Sequence, residues 1–219
     1  MRSDLLSFLR CPSCGSTLDS TPASPANGLT LRCPGCGSTA PVLDGIPRFV
    51  DVPADEMARR TQASFGYEWT HFNDWKPSGS TNFNDYFHGL DLPSLRESVI
   101  LDAGCGMGRH ARQVAPYAKR VVALDFSRAI DQAARNTSET GNVDCVQADL
   151  LALPLADNSF DLVYSMGVLH HLDQTERALS ELVSKVRPGG RMRIYLYWKR
   201  HGWSGALLAA ASSARHITT

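Results

Sequence analysis

Four cysteines, a three-glycine loop and a few acids and histidines are the residues whose types and spacing could do chemistry. Cys11-Pro-Ser-Cys14-Gly-Ser-Thr is followed by Cys33-Pro-Gly-Cys36-Gly-Ser-Thr, a small internal repeat. Each half reads as a knuckle whose two sulfurs turn to one point, with Gly15 and Gly37 easing the turn. Two C-x-x-C pairs at this separation match a four-thiolate zinc site, with Cys11, Cys14, Cys33 and Cys36 as ligands. A disulfide pair and an iron centre are the alternatives. Four thiolates leave no open coordination position, so the zinc would be structural. The second group is Val99–His110, V-I-L-D-A-G-C-G-M-G-R-H. An apolar run ends at Asp102, glycines stand at 104, 106 and 108, and a helix-like stretch follows. Glycines let a ligand approach the backbone, and a helix start offers free N–H groups. This is the chemistry of a nucleoside-cofactor site. Cys105 and Cys145 read as small buried residues.

The elements that must position these residues are strands alternating with helices. Strand one is Val99–Asp102 with a helix over Arg109–Ala118; strand two is Arg120–Asp125 with a helix over Ala129–Thr140. Strand three is Val143–Gln147, and strand four Phe160–Ser165 with a helix near Gln174–Val186. Arg187–Gly190 reads as a turn into strand five, Arg191–Tyr197. Such alternation predicts an α/β fold, a Rossmann-like parallel sheet with helices on both faces, binding ligands beyond the strands' C-terminal ends. Ahead of it, Asp19–Gly28 reads as a loop, and Val42–Leu43 and Ile46 as short strands around an Asp44–Gly45 turn. Ala54–Phe65 reads as a helix. Phe65–Phe72 places four aromatics within eight residues, with Trp75, Phe83, Tyr86 and Phe87 after it. We read this as a lid over the cofactor that lines a substrate pocket; a helix merely packed on the core is the alternative.

The domain organisation expected is a zinc ribbon over residues 1–50, linker and lid helices over 51–95, a cofactor-binding core over 96–200 and a helical tail over 201–219. Apolar residues make up 43% and charged residues 20%, a globular rather than disordered composition. Net charge is zero, which gives no general pull toward nucleic acid or membrane. No apolar run approaches a spanning helix, and the N-terminus has no signal-peptide core, so the cytoplasm is the expected compartment.

The cysteine-bearing segment, with its Pro41-Val42 and Gly45-Ile46-Pro47 tail, resembles the small zinc-ribbon protein that activates tRNA, rRNA and protein methyltransferases. It also resembles the same ribbon fused ahead of bacterial methyltransferases. The glycine loop, the strand-two acid Asp125, Ala148-Asp149-Leu150, the run Phe160–His171 and Arg187-Pro188-Gly189-Gly190 occur in order. Together they resemble class I S-adenosylmethionine-dependent methyltransferases of type 11, the group that includes ubiquinone C-methyltransferases. A nicotinamide cofactor is the alternative that the glycines and Asp125 alone leave open. The resemblance implies that Asp102 and the Gly104–Gly106 backbone hold the methionine part. It implies that Asp125 holds the ribose, with Phe126 beside the adenine and Asp149 and Leu150 bordering it. Ser165 and Met166 would close the pocket near the sulfonium.

The reaction implied is in-line methyl transfer to a small molecule or biosynthetic intermediate. It needs alignment and exclusion of water more than acid–base help. Where the acceptor must lose a proton, His170 or His171 is the candidate base. An Asn-Pro-Pro-Tyr motif is absent from strand four, which argues against exocyclic-amine methylation. An rRNA or tRNA acceptor is the alternative, and a non-catalytic binding protein a further one. Against RNA, the ribbon sets Arg2, Arg10, Arg32 and Arg48 against Asp4, Asp19 and Asp44. The family adds an antiparallel hairpin after strand five. Here Trp198–Arg215 reads as helical, so a shortened C-terminus or completion by a partner chain is expected.

Overall fold

The structure, a computed structural model, describes residues 1–23, 28–50 and 81–196. It contains two sheets. The first is an antiparallel meander of β1 (Asp19–Ala23), β2 (Gly28–Arg32), β3 (Thr39–Leu43) and β4 (Ile46–Pro47). Asp44 and Gly45 connect β3 to β4 with φ of 52° and 78°, the left-handed pair that a two-residue hairpin turn needs. The expected loop over Asp19–Gly28 is a correction: β1 and β2 pair there from Asp19↔Arg32 to Ala23↔Gly28. Its Ser/Thr/Pro composition looked loop-like because β1 is an edge strand, where Pro22 takes no N–H away from a ladder.

The second sheet is parallel, in the order β7-β6-β5-β8-β9. Its strands are β5 (Val99–Ala103), β6 (Arg120–Asp125), β7 (Val143–Gln147), β8 (Phe160–Met166) and β9 (Val186–Tyr195). The order reverses between β5 and β8, which opens a crevice at their C-terminal ends. Helices α1 (Thr81–Tyr86), α2 (Arg109–Val114), α3 (Ala129–Thr137) and α4 (Thr175–Lys185) pack around it. Successive strand residues alternate between two apolar clusters, as the two-residue period demands. Ile100, Val121, Ala123, Cys145, Leu162 and Tyr164 face α1, α2 and α3. Leu101, Val122, Leu124, Val146 and Val163 face α4 and the cysteine-bearing unit.

Some boundaries differ from those expected. The helix after the glycine loop ends at Val114, and Pro116 sits in a 3-10 turn behind it. The helix at Ala129 ends at Thr137, followed by a 3-10 turn and a left-handed Gly141. Strand five begins at Val186, not Arg191. Phe160 pairs with Val186 and Leu162 with Arg191, so Arg187–Gly190 bulges out of a continuing strand rather than turning into one. The helix expected over Ala54–Phe65, the aromatics Phe65–Trp75 and the tail after Leu196 lie outside the described residues.

The cysteine-bearing unit does not stand apart. Leu5, Leu9, Leu18 and Leu31 belong to the same buried cluster as Leu101, Val122 and Phe160. Leu9 bridges to Leu155, and Arg48 forms a parallel bridge to Gln147 at the free edge of β7. Arg2 pairs with Asp144 at 2.8 Å, Arg120 with Asp4, and Arg48 with Asp131.

Candidate functional site

Four of the five parallel strands, β5 to β8, deliver a site candidate at or just beyond their C-terminal ends, where the chain leaves the sheet. Asp102 is near the end of β5 and is 2% exposed. Burial pushes its carboxyl up to about 7; the Tyr164 hydroxyl behind it draws it down a little and the Asp125 charge pushes it up. Asp102 Oδ2 and the Tyr164 hydroxyl are both buried and neither is within hydrogen-bond geometry of a partner, so Tyr164 acts on the carboxyl as a nearby dipole rather than through a formed hydrogen bond. Such orphaned atoms are costly, and a cationic ligand group would satisfy the carboxylate.

The loop that follows can only be glycine-rich. Gly104 has φ +83°, and a Cβ there would meet Val168 Cγ2 at 2.5 Å. Gly108 has φ +78° and lies 3.0 Å from Ala133 Cβ by the same construction, which lets α2 approach α3. The Gly106 N–H donates to Asp125 Oδ2 at 2.8 Å. The Ser127 N–H and hydroxyl donate to Asp125 Oδ1 at 2.8 and 2.7 Å. Burial raises the Asp125 carboxyl, while the Ser127 and Gly106 hydrogen bonds draw it back. Asp125 therefore ties the glycine loop to the end of β6 and keeps a lone pair on Oδ2 for a further donor.

Phe126 is half-buried beside it. Asp149, after β7, accepts from the Leu151 N–H at 2.9 Å, which makes it a turn cap, and Leu150 is buried beneath. Ser165 and Met166 end β8; the Ser165 hydroxyl is fully buried with no hydrogen-bond partner. His170 and His171 lie in a 3-10 turn just beyond, with ring centroids 4.0 Å apart. Burial, and then the charge of His171, lower the His170 pKa. The Gly106–Asp125 hydrogen bond and the Gly104 N–H donated to the Leu124 carbonyl tie the glycine loop to β6, with Asp102 at the end of the neighbouring β5 and the other candidates at neighbouring strand ends.

Sequence reasoning missed several residues around this group. Ser127 holds Asp125, and only its position two residues later signals it. Tyr164 stands behind Asp102, an inward β8 position that reads as plain core. His110 sits among Phe83, Tyr86 and Phe87, with burial lowering it to about 4. Of the aromatics read as a lid, Phe83 and Phe87 are buried; Phe87 meets Tyr164 edge-on at 5.1 Å, and the Tyr86 ring lies 4.4 Å from that of Tyr195.

The four cysteines converge. Their sulfurs all lie within 4.8 Å of one another, with Cys11–Cys36 at 3.5 Å and Cys14–Cys33 at 3.4 Å, and none is in a disulfide. A tetrahedral zinc with Zn–S near 2.3 Å places its sulfurs about 3.8 Å apart, so the donor set fits. In each knuckle the glycine N–H returns to the first cysteine's carbonyl, Gly15 to Cys11 at 2.8 Å and Gly37 to Cys33 at 2.9 Å. The hydroxyl of Ser38 lowers Cys36 to about 6 and that of Ser16 lowers Cys14, while burial raises Cys33 to about 11. Among the described residues no helix is long and apolar enough to cross a membrane.

The family model of the methyltransferase domain matches residues 101–194. A malonyl-[acyl-carrier protein] O-methyltransferase of Enterobacter lignolyticus is 39% identical over 99 residues, 45% of this chain and 39% of that protein. A methyltransferase of Encephalitozoon cuniculi is 39% identical over 111 residues, 49% of each chain. The chain therefore spans about half, or less, of the length of these relatives. Among solved structures, the N-methyltransferase NodS of Bradyrhizobium japonicum in complex with S-adenosyl-L-homocysteine superposes with a TM-score of 0.54. It is 25% identical, over 62% of this chain and 72% of that one.

Proposed function

We propose that this chain, whose residues 101–194 are a class I S-adenosylmethionine-dependent methyltransferase domain, methylates a small molecule or biosynthetic intermediate. The observation that carries the reading is the pair of carboxylates at the strand ends. Asp102 is buried with an orphaned oxygen, and Asp125 is tied by three hydrogen bonds to Gly106 and Ser127. One acid then meets the cofactor's ammonium and the other its ribose hydroxyls.

The cofactor supplies an electrophilic methyl group on a sulfonium; the residues supply place and dryness. Asp102 accepts hydrogen bonds from the ammonium, and the Gly104–Gly106 backbone lies close because no Cβ intervenes. Asp125 Oδ2 accepts from the ribose. Phe126 and Leu150 border the adenine, with Asp149 fixing the turn that carries Leu150. Ser165 and Met166 wall the sulfur side. His170, whose pKa burial lowers, accepts a proton from an acceptor hydroxyl or amine, with the His171 ring tilted beside it. The four thiolates of Cys11, Cys14, Cys33 and Cys36 hold a structural zinc, and a reducing compartment, the cytoplasm, suits them.

A small acceptor is favoured over RNA because two of the four arginines of the cysteine-bearing unit are neutralised by acids and a third is turned onto backbone carbonyls. Arg2 and Arg48 pair with Asp144 and Asp131, and Arg10 donates to the Ser7 and Leu9 carbonyls. Among the described residues of this unit Arg32 then stands as an isolated exposed cation, which is a poor track for phosphates. Calorimetry with S-adenosylhomocysteine tests the reading. The chain is expected to bind at one site, and Asp125→Ala to weaken that binding strongly; a folded chain that takes up no ligand overturns it.

A further inference from the structure

We propose that Arg48, from the cysteine-bearing unit, is a positioning residue for the adenosine half of the cofactor site, acting through Gln147 on the Phe126 carbonyl. The proposal rests on the cofactor reading above. Arg48 follows β4 and reaches across the free edge of β7. Its side chain is 7% exposed, and Nη1 donates to Gln147 Oε1 at 2.9 Å. Gln147, 6% exposed at the end of β7, turns its amide the other way, and Nε2 donates to the Phe126 carbonyl at 3.0 Å. The second guanidinium nitrogen, Nη2, donates to Asp131 at the start of α3. The backbone adds to the grip: the Phe49 N–H donates to the Gln147 carbonyl at 2.8 Å, and the Ala148 N–H to the Asp125 carbonyl at 3.1 Å.

The segment held in this way is Asp125–Asp131, which carries the ribose acid, the adenine neighbour Phe126 and the cap Ser127. Arg48 touches neither end of the ligand; it fixes the loop that does. Burial raises the Asp131 carboxyl, but the hydrogen bonds and charges of Arg48 and Arg128 more than offset this and hold it below its usual range, so the clasp stays ionised. Fold stability alone is a poor account of the arrangement. Arg48 Nε is buried with no hydrogen-bond partner, and a partly satisfied buried ionic network is worth less than well-packed apolar residues of the same volume. A network of that cost does something for the loop it grips. Gln147 makes the chain directional, since its amide accepts from the guanidinium through Oε1 and donates to the carbonyl through Nε2.

Two substitutions in the full chain separate positioning from scaffolding. Gln147→Glu keeps acceptors for Arg48 but cannot donate to the Phe126 carbonyl at neutral pH. Arg48→Met removes the clasp and keeps the stem's volume. By calorimetry, each is expected to weaken S-adenosylhomocysteine binding about tenfold, in line with one lost buried hydrogen bond. The double variant is expected to lose no more than Arg48→Met alone, because the two act in series. Gln147→Glu should do this in a chain that still folds and melts within about a few degrees of wild type, so that the lost affinity is not a loss of folded protein, which a merely structural role would not produce. Wild-type binding with either variant within twofold of it, or losses that multiply in the double variant, overturns the proposal. Absence of binding by the wild-type chain overturns the cofactor reading itself, and this proposal with it.

Discussion

Replacing Asp102 by Asn should make the ligand-free protein more stable at alkaline pH while removing its ability to hold the cofactor. Burial lifts the folded-state carboxyl from 3.8 to about 7, so between those values the folded protein binds a proton that the unfolded chain has released. Stability must then fall as pH rises through that window, fully present near pH 4 and lost by about pH 7. From pH 5 to pH 8 the window covers about 2 units, or ~3 kcal/mol at ~1.4 kcal/mol per unit. For a chain of this length that is a change of about 5–10 °C in melting midpoint. Asn has the same shape and no charge, so its variant lacks this slope. The measurement is a thermal melt of both proteins from pH 5 to pH 8, with and without S-adenosylhomocysteine. The wild-type midpoint should fall relative to the variant as pH rises, and saturating ligand should restore it, since the ligand's ammonium compensates the buried charge. The variant should gain little from the ligand. Parallel wild-type and variant curves across the range would refute the claim that Asp102 is an uncompensated buried acid.

Asp125→Ala removes the acceptor for three donors; S-adenosylhomocysteine affinity by calorimetry should fall about 30- to 100-fold, the scale of lost hydrogen bonds to a charged group. Gly104→Ala forces a Cβ to 2.5 Å from Val168 Cγ2 at φ +83°, so the unfolding free energy from denaturant titration should drop by ~2 kcal/mol, with Val168→Ala restoring part of it. Metal analysis of the purified chain should return one zinc per molecule. Stripping it with a chelator should lower the melting midpoint of the whole chain in one cooperative transition, because the knuckles share a core with the parallel sheet.

The parallel sheet was legible because its strands obey the two-residue period on both faces and are punctuated by Gly and Asp. The cofactor loop was legible for a similar reason: positive φ at Gly104, Gly106 and Gly108 leaves glycine as the natural residue, so the requirement is written in the sequence. What composition concealed was structure made by pairing. The Ser- and Thr-rich Asp19–Ala23 forms an edge strand only because Gly28–Arg32 lies beside it. Arg187–Gly190 reads as a turn by residue type, yet β8 holds strand register on both sides of it. Gln147 and Arg48 were invisible for a different reason. Each looks like an ordinary polar residue at a strand end, and the chemistry arises from two positions 99 residues apart meeting across a sheet edge.

That edge is where the two halves of the chain depend on each other. β7 ends the parallel sheet, and an uncovered edge strand is an open template for association with other chains. Arg48 and Phe49 pair with Gln147 and cover part of it, while Leu9 bridges to Leu155 and the Ala156 N–H donates to the Phe8 carbonyl. Phe8 lies 5.9 Å from Phe160, a fully buried residue at the start of β8. The face of the sheet that Leu101, Val122 and Val163 present is therefore completed partly by Leu5, Leu9 and Leu31. A cysteine-knuckle unit of about 50 residues has too little apolar surface to form a sufficient core alone. The sheet face under it would be left exposed in turn. A boundary drawn after Val50 marks a change of motif in the sequence; the apolar cluster runs through it.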